Sequence, residues 1–215
     1  MRRTTSTGAA ALCMLPAFLA GAVPAALDAQ TRMASADAVI QPVSARSLSI
    51  PRGVEAVITV NHLLLAGGSY QEVQERLRVV GPRAAGGELA NGVTDYDLVP
   101  RLTPVSDGTR CRPKGVRVDV TVQILLPEWV DHDQAPYRER RRWTAFLDRL
   151  TRHENGHRDV TLRAAEALDG TLRSLEASSC GRLIRRIDGA IRAAQDELDR
   201  AHAALDAADR ILSPR

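Results

Sequence analysis

Aromatic side chains are scarce. Phe, Trp and Tyr together make up 3% of the 215 residues, so a core has to be built mainly from Val, Leu, Ile and Ala. A strong excess of one charge is also missing: 29 basic residues stand against 26 acidic ones, a formal net charge of +3. The arginines are spread along predicted helices with acids between them, which argues against a nucleic-acid partner. After residue 29 no apolar run approaches the ~20 residues that a spanning helix needs, so no stable membrane span is expected once the N-terminus is removed. Cysteines number only three, and Cys13 lies in an N-terminal apolar run.

That N-terminus reads as a targeting segment. Arg2 and Arg3 precede an apolar stretch from about Ala9 to Leu27, broken by Pro16 and Pro24. Leu27 to Ala29 suits a cleavage site with Gln30 as the new start, and a cut after Ala25 or Ala26 is the alternative. Residues 1–29 are therefore expected to be a secretory signal peptide, and the protein to be periplasmic or secreted. The mature chain keeps 27 basic and 25 acidic residues, close to balance. It also keeps an even pair of cysteines, Cys111 and Cys180, which in an exported protein suggests a disulfide. In the loop-entropy model, closing so long a loop contributes about 4 kcal/mol.

Residues 30–48 are small and polar without a period, and are expected to be a flexible lead-in. From Ser49 the chain turns β-like, with Val54, Ala56, Ile58 and Val60 alternating. Ala66-Gly67-Gly68 is a turn. Ser69 with Glu72 forms a capping box for a helix from Tyr70 to about Val80, stopped by Gly81-Pro82. Residues 83–92 read as a loop and Val93 to Val99 as a strand. The strongest strand signal is Val116 to Ile124, where every second residue is apolar, so one face is buried and one is wet. The chain is helical from Pro136. Trp143, Phe146, Leu147, Leu150, His153, Glu154, His157, Thr161, Ala164, Ala165 and Leu168 fall on one stripe, and Cys180-Gly181 is expected to end this helix. A second helix follows over 182–215, packed antiparallel on the first or extending as an arm. The expected fold is α+β, a small antiparallel sheet against a helix, over residues 49–181 with that terminal helix added.

His153-Glu154-Asn155-Gly156-His157 reads H-E-x-x-H. Two histidines four apart share a helix face, so both imidazoles can reach one metal ion. Glu154, off that line, can take a proton from water. Gly156 is an oddity, because it costs about 1 kcal/mol against Ala inside a helix. A small residue there would let substrate or a neighbouring strand come close. Catalytic zinc usually has a third protein ligand. Arg163 stands where a metzincin has its third histidine, and Glu166 points away, so that ligand comes from elsewhere. The terminal helix offers His202 or Asp206 as the preferred candidates, with Asp209 on the same face. His132 with Asp131 and Asp133, and His62, are further possibilities. These residue types point to metal-assisted hydrolysis with Zn2+ supplying Lewis acidity and Glu154 passing a proton to the leaving amine.

The pattern resembles a bacterial family known as domain of unknown function 922, described as predicted secreted zinc-dependent proteases. The likeness covers about residues 50–185. It rests on Gly67-Gly68-Ser69-Tyr70, Gly81-Pro82, Cys111 leading into the alternating strand, Leu126-Pro127-Glu128-Trp129, Trp143, His153-Glu154-Asn155-Gly156-His157 and Cys180. It implies a zincin-like domain, export, zinc at His153 and His157, and Glu154 as the acid/base. The tail departs from the family, whose members tend to finish with a Tyr-Asp element and then Thr-x-His-Gly. Here Leu205-Asp206-Ala207-Ala208-Asp209 keeps an aspartate without that histidine. The expected function is an exported zinc metallopeptidase acting on a peptide or protein substrate. The alternative is a non-catalytic zincin-like module that binds an envelope protein partner through its long terminal helix.

Overall fold

In chain order the elements of the computed structural model are β1 (Ile40–Ile50), β2 (Val54–Leu65), α1 (Tyr70–Val80), β3 (Val93–Ser106), β4 (Cys111–Trp129), a short 3-10 turn (His132–Gln134), α2 (Tyr137–Ser174) and α3 (Cys180–Ala208). The structure describes residues 39–50, 53–84 and 87–208. The predicted signal peptide, the first part of the lead-in and residues 209–215, Asp209 among them, lie outside the described residues. No described helix is long and apolar enough to cross a membrane.

The alternating stretch becomes the centre of the sheet. Val116, Val118, Val120, Val122 and Ile124 are buried while Arg117 and Thr121 face water, and burial turns continuous from Leu125 to Pro127. The antiparallel expectation needs correction: the sheet is mixed, with four strands ordered β1-β2-β4-β3. β1 pairs antiparallel with β2, and β3 with β4. β2 and β4, however, run parallel from Val54↔Val118 to Leu65↔Trp129. Connectivity is the cause. α1 and β3 intervene between β2 and β4, giving the long crossover that a parallel pair requires, and the β3–β4 hairpin then puts β3 outermost. Hydrophobic alternation specifies the buried face of a strand but not the direction of its partner.

The expected lead-in is corrected too, because residues 40–48 belong to edge strand β1. Residues 41–48 are exposed, so this strand has no buried face to produce a period. Backbone pairing to β2 holds it, with a register shift between Pro42 and Ser44 that suits a proline lacking an N–H.

α1 begins as the capping box predicts. Its Glu72 N–H donates to Ser69 Oγ at 3.3 Å, although the Glu72 carboxylate accepts from Gly68 N–H instead of the cap residue. Along α2, Trp143, Phe146, Leu150, Glu154, Thr161, Ala165, Leu168 and Leu172 are buried. Near its end the fully buried Asp169 accepts two hydrogen bonds from Arg173, whose Nη2 also donates to the Val116 carbonyl of β4. A paired and hydrogen-bonded buried carboxylate avoids the cost of an isolated charge.

The helix boundary is a further correction. α2 ends at Ser174, and Cys180 opens α3 instead of closing α2. Ser179 starts the new helix, its Oγ accepting from Arg182 N–H at 3.4 Å and its carbonyl from Leu183 N–H at 3.0 Å. The disulfide Cys111–Cys180 is present, with Cα atoms 5.1 Å apart. Beside it Cys111 and Ala177 exchange two backbone hydrogen bonds at 2.8 and 3.0 Å. The start of α3 is thus tied to the start of β4. α3 then packs along α2, with Leu183, Ile187, Leu198 and His202 buried, so it is not a free arm.

Candidate metal centre

One stretch of α2 carries all three residues of the motif. His153 and His157 sit a turn apart with ring centroids 4.7 Å apart and side chains 11% exposed. Their Nε2 atoms are 3.1 Å from each other. The docking of α3 brings Asp206 Oδ1 to 3.3 Å from His153 Nε2 and 3.0 Å from His157 Nε2. Among the described residues this is the one group of three whose ligand atoms converge in this way.

Of the two preferred third ligands, then, Asp206 joins the histidine pair and His202 does not. His202 lies behind His157, its Nδ1 2.7 Å from His157 Nδ1. His62 contacts Glu128 at 2.5 Å, and His132 contacts Asp133 at 3.1 Å; neither is in the converging group. Asp131 accepts from Gly67 N–H in the turn before α1.

The donor set suits zinc. Four tetrahedral ligands at ~2.0–2.1 Å stand about 3.3 Å from one another, and the three edges here are 3.0, 3.1 and 3.3 Å. Two imidazole nitrogens and one carboxylate oxygen are the borderline donors that zinc accepts. A single proton could bridge only one edge of this triangle, whereas a cation at ~2 Å from each atom satisfies all three. Burial pushes the His157 imidazole down to about 4, against the opposing pull of the Asp206 carboxylate, with His153 and His202 adding to the drop. His157 is therefore neutral near pH 7 and has a lone pair to offer.

Glu154 is 3% exposed and faces β3. Burial pushes its carboxyl up to about 7, and the Thr94 hydrogen bond and the nearby His153 only partly offset this. Thr94 Oγ1 donates to Glu154 Oε2 at 2.8 Å. The start of β3 can approach so closely because residue 92 is glycine. A Cβ there would stand 3.1 Å from Glu154 Oε1, 3.1 Å from the Leu125 carbonyl and 3.2 Å from Leu150 Cδ1.

Gly156 now has a physical account. A Cβ at this position would meet Leu205 Cδ2 at 3.0 Å. The neighbour it admits is α3, not a strand or substrate, and Leu205 is the residue before Asp206. The motif glycine is therefore a seat for the helix that carries the third donor.

Sequence reading missed Gly92 and Thr94, which lay in a predicted loop and strand, and Tyr96. The Tyr96 ring stacks on His202 at 4.5 Å, and its hydroxyl, pushed up to about 12 by burial and the adjacent Asp199, donates to that carboxylate at 3.4 Å. These residues carry no local signal, because they reach the site only through strand pairing and helix docking.

A family model described as bacterial protein of unknown function (DUF922) matches residues 60–211. No curated protein and no solved structure matches the chain.

Proposed function

The chain belongs to the DUF922 family, and on that premise we propose that it is an exported zinc-dependent metallopeptidase of zincin-like construction. The observation that carries the reading is the triangle of His153 Nε2, His157 Nε2 and Asp206 Oδ1, with edges of 3.0–3.3 Å, whose two histidines share their helical turns with a buried glutamate. Those three residues would hold the metal. The chemistry zinc supplies at such a set is Lewis acidity, which polarises a scissile carbonyl and acidifies water.

The chain's own contribution centres on Glu154. Its carboxyl, held near neutrality by burial, suits a group that accepts a proton from water and returns it to the leaving amine. Thr94 fixes one carboxylate oxygen and so orients the base. His153 and His157 would hold the metal through Nε2. Export is supported by the signal-like residues 1–29 and by the Cys111–Cys180 disulfide, a bond that persists in oxidising compartments. Peptides or proteins are the proposed substrates.

The test is metal content followed by hydrolysis. Purified protein should bind close to one zinc per chain, and Asp206→Ala should weaken that binding at least tenfold. Glu154→Gln should keep the zinc and lose cleavage of a fluorogenic peptide library. If the wild type takes up no zinc at micromolar supply, the proposal fails. If zinc binds and Glu154→Gln cleaves as well as the wild type, Glu154 is not the base; if zinc binds and the wild type itself cleaves nothing, the non-catalytic module becomes the better reading.

A further inference from the structure

His202 has a job that the metal triangle leaves open. It is 8% exposed, on the inner face of α3, and both ring nitrogens are engaged. Nδ1 lies 2.7 Å from His157 Nδ1, and Nε2 lies 3.3 Å from Thr161 Oγ1. Thr161 Oγ1 in turn donates to the His157 carbonyl at 3.0 Å. The His157 and His202 rings are within 22° of parallel with centroids 5.0 Å apart. That separation is what two imidazoles joined end to end through a 2.7 Å N···N contact would have. The contact therefore runs along the ring planes, where an sp2 lone pair points.

Hydrogen bookkeeping around this loop gives it a direction. The Thr161 hydroxyl donates to the His157 carbonyl at 3.0 Å, the nearer of its two partners. Thr161 Oγ1 then accepts from His202 Nε2–H. His202 Nδ1 is left with a lone pair, and it accepts from His157 Nδ1–H. His157 Nε2 is left bare, and that is the atom facing His153 and Asp206.

We infer that His202 is a positioning residue: through the closed loop His157–His202–Thr161 it holds His157 in the one tautomer that can ligate a metal through Nε2. The opposite wiring would place a proton on His157 Nε2 aimed at Asp206, in the space a cation needs. Tyr96 stacks on the His202 ring at 4.5 Å and fixes its plane, so β3 also takes part in setting the tautomer. The inference rests on the proposed metal site for its purpose, but the tautomer itself is a property of the metal-free chain.

Two measurements test it separately. In metal-free protein, long-range proton–nitrogen correlation spectra of 15N-histidine-labelled chain should show His157 protonated on Nδ1 and bare on Nε2, and His202 protonated on Nε2. A His157 proton on Nε2 overturns the inference. Zinc affinity, read by competition with a chromophoric chelator, should fall about 10–100-fold in His202→Phe, the usual cost of losing the partner that orients a ligand. His202→Asn, which keeps an acceptor for His157 Nδ1–H, should recover most of that loss. Unchanged affinity in His202→Phe, or an equal loss in His202→Asn, also overturns it. If the Phe variant does not fold, the Asn variant and the wild-type spectrum still decide. If the wild type binds no zinc, the metallopeptidase proposal fails while the spectrum continues to report the tautomer.

Discussion

Glu154→Gln should remove a pH dependence of stability that the wild type carries. The side chain is 3% exposed, and burial raises its carboxyl from 4.5 to about 7. At about 1.4 kcal/mol per unit, the fold favours the neutral acid over the carboxylate by about 3 kcal/mol. That stability is fully present below about pH 4.5, where the unfolded chain is protonated as well, and is lost as pH rises through about 7. His157 acts in the opposite sense. Its imidazole is depressed from 6.5 to about 4, so its cost is full below about 4 and vanishes as pH rises past 6.5. The wild-type curve alone is therefore blunted, and the comparison with Glu154→Gln isolates the carboxyl. The variant keeps an oxygen to accept from Thr94 and carries no titrating proton. Urea unfolding followed by circular dichroism, with a chelator present, should show the wild type losing about 2–3 kcal/mol relative to the variant between about pH 5 and pH 8. An equal gap at both pH values would refute the claim that the fold holds this carboxyl in its neutral form.

Gly156→Ala should be tolerated: a gain of up to about 1 kcal/mol in helix propensity is partly offset as the flexible Leu205 methyls give way from 3.0 Å. Gly156→Trp should instead lift Leu205 and Asp206, and zinc titration should show affinity reduced to that of Asp206→Ala; wild-type affinity in this variant would sink the docking argument. Replacing both Cys111 and Cys180 by Ser should lower the unfolding free energy by up to about 4 kcal/mol, measured in urea. The paired Cys111–Ala177 backbone should keep the corner folded, and a loss below about 1 kcal/mol would mean the loop is already closed without the disulfide.

The legible parts of the chain were those where a local pattern and a buried face coincide. Val116 to Ile124 alternates because it is the middle of the central strand, and the α2 stripe placed Glu154 inward because helical spacing leaves no other option. Ser69 and Glu72 mark the start of α1 because capping is local chemistry. The edge strand β1 was hidden for the converse reason: with residues 41–48 exposed, no pattern is needed. The parallel β2–β4 pairing and the choice of Asp206 over His202 depend on contacts across many residues of chain. His202 and Asp206 sit one turn apart on one helix face, and periodicity ranks them equally. Only the depth at which α3 docks separates the residue behind His157 from the residue beside it.

That depth is set at both ends of α3. At its start, the disulfide and the Cys111–Ala177 bridge hold Cys180 to the sheet, and Ser179 aims the helix. Over its last turns, Leu198 and His202 are buried and Leu205 fits against the bare Cα of Gly156. Asp206 is 60% exposed and contributes little packing of its own, so its position is inherited from the residues before it. The same holds for Glu154, whose neighbour Thr94 arrives by pairing with Ile124 and whose close approach depends on Gly92. On the proposed reading, the motif supplies two donors and a base from one helix. On the same reading, the sheet sets the environment of the base, and the terminal helix supplies the third donor together with the residue that orients the second. If the proposed site takes a metal, fold contacts such as Gly156–Leu205 govern its affinity through the position they give Asp206.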